Sequence, residues 1–363
     1  MATTYLTLVN NVLNELNEPE LTSTTFSSSR GIQTSVKKFV LKAMHEVYNS
    51  LSEVPDLYLS TTQDTYAGQR TYDLPSSASP QSTDKAYRKI DWDTFRLVPK
   101  ELVTNGEFTS NITGWTTGDG SPSHTTSGNG RLNLNDAAAY QSISTVKNKT
   151  YRLQVRVMSP SSSTSTVAIK VGTSASGGEY LSTTKSVSNI GDGATLDTTF
   201  DATAQTSYIY FETASGVQLD IDYVRISENI GIKKLKYITY DDWQNRYLET
   251  DLSNTSSSQG TPDYVYHTQN KKFGLSPVPN QDTYTIQYEY WKIHTDLSAH
   301  GDTMDLDDRF KDVIITKAKY YAYVLRSDPQ AAAMSVKEYD NQLQQLRSEY
   351  ITTKTYMRDT RVN

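Results

Sequence analysis

The chain has 363 residues, 36% of them hydrophobic and 21% charged, with a formal net charge of −6, and that length favours two domains over a single core. The acidic balance excludes a nucleic-acid footprint spread over the whole surface, because neutralising phosphates takes clustered Lys and Arg. With no cysteine in the sequence, a disulfide framework, a thiolate metal site and a Cys nucleophile are excluded too.

Residues 1–55 read as helical. Met1-Ala2-Thr3-Thr4 lacks the cationic and apolar regions of a signal peptide, and no run approaches the roughly 20 apolar residues of a membrane span. A soluble protein with no membrane partner is expected. Leu6, Val9, Leu13 and Leu16 share one helical face, with Thr3 or Thr4 available as N-cap and Pro19 as the stop. A second helix over about 27–51 carries Ile32, Val36, Phe39, Val40, Ala43 and Val47 at i, i+3, i+4 spacing. Leu41, Met44 and Tyr48 make another apolar stripe on it, which predicts two packing partners.

Residues 58–75 read as a β-hairpin turning at Ala67-Gly68-Gln69, and 87–98 as a further strand through Ile90, Trp92, Phe95 and Leu97. From 101 to 227 the composition turns to Ser, Thr, Gly and Asn, helical periodicity disappears, and short alternating strands predict a β-sandwich or jelly roll. The earlier style then returns, with a strand over 232–240, a helix start at Asp241-Asp242-Trp243, and 264–273 expected to pair with 284–291. Helices follow over 305–326, where Asp302, Asp305, Asp307 and Asp308 read as an acidic helix start, and after Asp328-Pro329, carrying Tyr339, Leu343, Leu346 and Tyr350.

The predicted fold class is therefore α+β: a helical bundle body with a small antiparallel sheet, plus an inserted all-β jelly-roll sandwich. The expected divisions are 1–100 and 228–351 for the two parts of the body, 101–227 for the insert and 352–363 for a C-terminal tail. The chain's 26 tyrosines against 8 phenylalanines suit surfaces buried in an assembly with a wet edge, although strands favour Tyr as well.

Without residues 101–227 the chain resembles the podovirus head-to-tail adaptors of the tail tubular protein A type. The resemblance is carried by Tyr5-Leu6-Thr7-Leu8-Val9-Asn10 with Leu13-Asn14-Glu15-Leu16, by Arg88-Lys89-Ile90-Asp91-Trp92-Asp93, by Leu235-Lys236-Tyr237-Ile238-Thr239-Tyr240-Asp241-Asp242-Trp243, and by Phe273-Gly274-Leu275-Ser276-Pro277-Val278-Pro279 before a Tyr-rich strand. It implies a structural role in the virion, at the portal-tail junction, for a protein made in the host cytoplasm. The implied assembly is a dodecameric ring that binds the portal protein, continues the DNA channel without specific DNA binding and meets a tail or nozzle protein. By matching position, Tyr350, Tyr356, Arg358 and Arg361 are the candidate portal contacts. The last twelve residues lack a periodic apolar face and would gain order only by docking.

The insert resembles carbohydrate-binding-module jelly rolls through Asn105-Gly106-Glu107-Phe108 followed by Gly114-Trp115, and through Leu219-Asp220-Ile221-Asp222-Tyr223-Val224-Arg225-Ile226. Such domains stack sugar C–H faces on aromatic rings, so Trp115, Tyr140 and Tyr180 are the candidate glycan-binding residues; Trp115 reads equally well as sandwich core. A surface glycan and a tail fibre are candidate partners, and glycan-mediated adhesion is the alternative function. Asp220 and Asp222 are candidate oxygen ligands for Ca²⁺. No other metal, cofactor or catalytic residue is expected: His45, His124, His267, His294 and His300 show no ligand spacing, and no phosphate loop or nucleophile elbow is present.

Overall fold

The computed structural model describes residues 3–51, 53–75 and 86–351. Helix α1 (Tyr5–Glu15) starts at the Thr4 cap, whose side chain accepts from the Thr7 amide. It ends before Pro19, where Asn17 turns left-handed at φ 57°. Helix α2 (Ile32–Ser50) buries Val36, Val40, Ala43, Met44, Val47 and Tyr48, so residues from both expected stripes are inside. Strands β1 (Tyr58–Asp64), β2 (Thr71–Asp73) and β3 (Tyr87–Pro99) follow.

The chain then builds two stacked five-stranded sheets from β4 (Thr116–Asp119), β5 (Ser123–Thr125), β6 (Arg131–Asn135), β7 (Ala138–Ser144), β8 (Lys149–Met158), β9 (Ser165–Gly172), β10 (Leu181–Val187), β11 (Gly193–Ala202), β12 (Thr206–Thr213) and β13 (Gln218–Glu228). One sheet runs β10-β9-β12-β7-β4 and the other β11-β8-β13-β6-β5. Alternating inward residues such as Leu153, Val155, Val157, Ile169, Val171, Ile209 and Phe211 form their common core, as expected for two half-buried sheets packed face to face. The Asn105-Gly106-Glu107-Phe108 motif is structural. A Cβ on Gly106 would stand 2.1 Å from the Val224 carbonyl, the Gly106 carbonyl accepts from the Val224 amide, and Phe108 is wholly buried.

Beyond the sandwich come β14 (Lys233–Lys234), β15 (Lys236–Ile238), α3 (Tyr240–Arg246), α4 (Leu248–Ser253), β16 (Tyr264–Thr268), β17 (Lys272–Ser276), β18 (Tyr284–Lys292), α5 (Lys311–Leu325) and α6 (Pro329–Ile351). The expected 58–75 hairpin does not form. Strand β1 pairs with β18, whereas β2 pairs with β17 in a different sheet; the buried Tyr72 hydroxyl accepts from the Tyr66 amide and donates to the Gln69 carbonyl, so the intervening turn is satisfied locally. The 264–273 segment does not pair with 284–291 either. It folds back on itself as β16 and β17, with left-handed Asn270 and Lys271 at the turn, and β18 lies between β1 and β3.

In place of one small antiparallel sheet there are thus two four-stranded sheets, β1-β18-β3-β14 and β15-β16-β17-β2, the second containing a parallel β15/β16 pair. They share a core in which Phe95 stacks on Tyr288 at 4.4 Å and 3°, with Phe273 edge-on to both. Residues of α1, α2, α5 and α6, including Leu8, Val12, Val40, Val47, Ile314, Ala318, Leu343 and Leu346, form a separate core. Helix α5 starts at Lys311 rather than near Asp305. Ahead of it Asp302 accepts from the Ser298 and Ala299 amides, Asp305 accepts from Lys292 and the Thr295 amide, and Asp307 caps a one-turn 3-10 segment.

The chain leaves the first body sheet at the end of β3 and returns to it as β14, whose Lys233 and Lys234 pair with Leu97 and Arg96 of β3. The two crossings therefore lie side by side. Buried Glu228 ties them down: it accepts from Gln281 Nε2 at 3.0 Å and Thr283 Oγ1 at 2.6 Å, and pairs with Lys149 of the sandwich at 3.0 Å. Glu101 accepts from the Val103 and Ile226 amides, and burial pushes its carboxyl above the usual range against the pull of those N–H groups.

Candidate functional site

On the outer face of the β10-β9-β12-β7-β4 sheet, strand register brings chemistry from distant parts of the chain into rows. Thr116 pairs with Tyr140, Tyr140 with Tyr210, Tyr210 with Lys170 and Lys170 with Ser182, which makes one row across all five strands. Tyr208 lies in the adjacent row beside Ser142 and Gly172. Tyr140 and Tyr208 are half-buried with ring centroids 6.3 Å apart, and they form the accessible aromatic surface.

Tyr210, only 7% exposed, is the floor between them and Lys170. Lys170 Nζ stands 5.2 Å from the Tyr210 ring centroid and 3.1 Å from Glu212 Oε2. Burial, followed by the nearby carboxylates of Glu212 and Asp119, pushes the Tyr210 hydroxyl above its ordinary range. Gly118 makes room for this ring, because a Cβ there would lie 3.0 Å from Tyr210 Cε2 and 3.2 Å from the Ala138 methyl. Two residues beyond Lys170 at the end of β9, the Glu179 carboxylate covers Gly172, where a Cβ would meet it at 1.9 Å, and accepts from the Thr173 amide. The face thus combines flat amphipathic rings with a rim of hydroxyl, ammonium and carboxylate groups, a surface that can stack apolar faces and hydrogen-bond polar edges.

Of the three aromatic residues singled out from sequence, Tyr140 alone belongs to this face. Trp115 packs between Phe108 and Phe211, with centroids at 5.5 and 5.6 Å, and its Nε1 points to the Asn105 carbonyl; it is partly buried against the sandwich core. Tyr180 stacks on Phe200 of the opposite sheet, and its hydroxyl accepts from Thr203. Tyr208, Tyr210, Lys170 and Glu212 were not anticipated. The period-2 pattern of Tyr208, Tyr210 and Glu212 against Ile209 and Phe211 contains the signal for the β12 residues, but the register that sets them beside Tyr140 is non-local.

Asp220 and Asp222 face basic partners. Asp220, 3% exposed, accepts from Asn133 Nδ2 at 2.6 Å and pairs with Arg131. Asp222 pairs with Arg131 at 3.3 Å and with Arg156 at 3.6 Å. Their oxygens are engaged by cations and an amide, an arrangement of ion pairs rather than of oxygens gathered around Ca²⁺. Tyr350 falls in the last turn of α6, and Tyr356, Arg358 and Arg361 lie outside the described residues. No helix among the described residues is long and apolar enough to cross a membrane.

Residues 185–362 match the family model of the SU10 adaptor protein, and residues 100–217 match that of a carbohydrate binding domain. No curated protein matches the chain in sequence. Similar solved structures include the N-terminal cellulose-binding domain of Cellulomonas fimi β-1,4-glucanase C, at 18% identity over 36% of this chain and 98% of that one, TM-score 0.30. The xylan-binding CBM22-1 domain of Paenibacillus barcinonensis Xyn10C matches at 14% identity over 40% and 98%, TM-score 0.29. The enzymatically active domain of tailspike protein 4 of bacteriophage CBA120 matches at 17% over 35% and 21%, TM-score 0.28. The family matches bear out the resemblance read from the sequence: the chain is similar to a phage adaptor protein over residues 185–362 and to a carbohydrate-binding domain over residues 100–217.

Proposed function

We propose that this chain is the head-to-tail adaptor of a tailed phage, twelve copies of which form a ring that binds the portal protein, continues the DNA channel and receives the tail or nozzle protein. The observation that carries the reading is that the adaptor-family match takes in α5 and α6, whose side chains share one core with α1 and α2 from the other end of the chain. In this reading 1–100 and 228–351 are one helical-bundle body with its sheets, 101–227 is an insertion, and 352–363 is a tail that docks along the portal through Tyr350, Tyr356, Arg358 and Arg361. Arg and Tyr are the side chains that dominate interface energetics. Exposed Val324 and Leu325 at the end of α5 and exposed Met334 near the start of α6 are apolar groups that contact between subunits would cover. The reading assigns no catalytic step to the chain.

A second reading, compatible with the first in one molecule, is favoured by the Tyr140–Tyr208 pair: the sandwich binds a host-surface glycan on its outer face. A tail fibre is the protein partner that the same face would take.

The test is assembly of the purified chain, weighed by native mass spectrometry, with and without residues 102–227. The pairing of β14 with β3 leaves the ends close enough for a short joint. The shortened chain is expected to fold and form the same high-order ring. Only monomers or trimers from the full chain, or loss of all soluble protein on deletion, would contradict the reading.

A further inference from the structure

His45, His294 and Asp296 stand apart from every feature used above. His45 projects from α2, while His294 and Asp296 follow directly after β18. Tyr48, one turn beyond His45 on the same helix, lies flat on the His294 ring at 4.5 Å and 8°, which fixes that imidazole. The two imidazole rings are 4.9 Å apart. Both Nε2 atoms approach the same carboxylate oxygen, Asp296 Oδ1, at 2.7 Å from His45 and 3.6 Å from His294.

One nitrogen from each ring and one Asp296 oxygen fall within 4.8 Å of one another. A tetrahedral zinc ion with bonds near 2.0–2.1 Å sets its ligand atoms about 3.3 Å apart, so small side-chain rotations suffice to close the set. Two imidazoles and one carboxylate suit Zn²⁺, Co²⁺ or Ni²⁺ and do not suit the hard, oxygen-seeking Mg²⁺ or Ca²⁺. The set is reachable as well as convergent: the His294 side chain is 13% exposed, that of His45 is 45% exposed and that of Asp296 is 69% exposed.

We propose that His45, His294 and Asp296 form a binding site for one Zn²⁺ ion, with water in the fourth position. Bound there, the ion staples α2 to the segment that leads from β18 toward α5. It joins the helical core to the end of β18, an interior strand of the first body sheet, by a link that neither part supplies alone.

The experiment takes the full-length protein, stripped with EDTA and dialysed, and titrates it with Zn²⁺ by calorimetry at pH 7.5 while the melting temperature is followed. One Zn²⁺ per chain and a rise in melting temperature are expected, with no response to Mg²⁺. Co²⁺ in place of Zn²⁺ should give the visible absorption of a tetrahedral centre. His45→Gln, at a partly exposed position that leaves the core intact, and Asp296→Asn should each lose the stoichiometric uptake while melting like the metal-free parent. No uptake by the parent overturns the proposal. So does equal uptake by the variants, which would mark adventitious binding by other side chains, or a melting temperature that follows pH and ignores zinc, which would mark a His–Asp hydrogen bond alone.

Discussion

Glu228→Ala is expected to loosen the seam between the sandwich and the sheets of the body. In the parent this carboxylate accepts from Gln281 Nε2 at 3.0 Å and Thr283 Oγ1 at 2.6 Å, both from buried residues, and pairs with Lys149 at 3.0 Å. A hydrogen bond to a charged acceptor contributes about 1.5–3 kcal/mol net, and the alanine strands two buried donors at once. The Lys149 side chain is 40% exposed, so its ion pair adds only about 0–1 kcal/mol. Removing the carboxylate also removes its own desolvation cost, which leaves an expected loss of about 2–4 kcal/mol. Urea denaturation followed by circular dichroism reads the loss, with Lys149→Ala as the control that should stay within about 1 kcal/mol of the parent. A Glu228→Ala protein within about 0.5 kcal/mol of the parent, the range of an ordinary surface substitution, would mean that the carboxylate does not hold the seam.

Gly274→Ala should destabilise the protein by about 1–3 kcal/mol through overpacking, because its Cβ would lie 2.2 Å from Tyr266 Cζ while Trp243 holds the Tyr266 ring by stacking at 4.5 Å; in a Tyr266→Ala background the same change should cost less than about 0.5 kcal/mol, measured by a double-mutant cycle. For a glycan identified on an array, Tyr140→Ala and Tyr208→Ala should each weaken binding about 2- to 10-fold, the loss of one aromatic contact, with the melting temperature of the sandwich kept; unchanged affinity in both would remove that face from consideration. Backbone amides of Ser298 and Ala299 hold the Asp302 carboxyl below its ordinary range, so its contribution is present at neutral pH and is lost as pH falls through the depressed value. Asp302→Asn should flatten the acid limb of a stability-against-pH curve. Glu101 has the opposite sign: burial raises its carboxyl, its stabilising share is lost as pH rises through that raised value, and Glu101→Gln should gain stability relative to the parent between pH 4 and pH 7.

Local periodicity made much of the fold legible. The Leu13 and Val40 stripes, the long strand through Phe95 and the alternation within 101–227 all appear where the spacing predicts them. What failed was pairing. Tyr58–Asp64 and Thr71–Asp73 are adjacent in sequence and look like a hairpin, yet their partners are β18 and β17, and that choice is made by burial against elements some two hundred residues away. The candidate site divides in the same way. Tyr140 was visible as an aromatic of the β-rich insert, whereas its neighbours Tyr210 and Lys170 come from other strands and meet it only through register. Trp115 illustrates the converse, an aromatic conspicuous in sequence that packs inward between Phe108 and Phe211. The His45–Asp296 contact, 251 residues apart, had no local signature at all.

Electron microscopy of the phage particle, with the sandwich labelled by an antibody fragment raised against residues 101–227, separates an adaptor from a fibre-tip adhesin. The adaptor reading predicts a twelve-fold ring stacked beneath the portal, with label on its outside at every subunit. Label confined to fibre tips, with no density for the chain at the portal-tail junction, would contradict it.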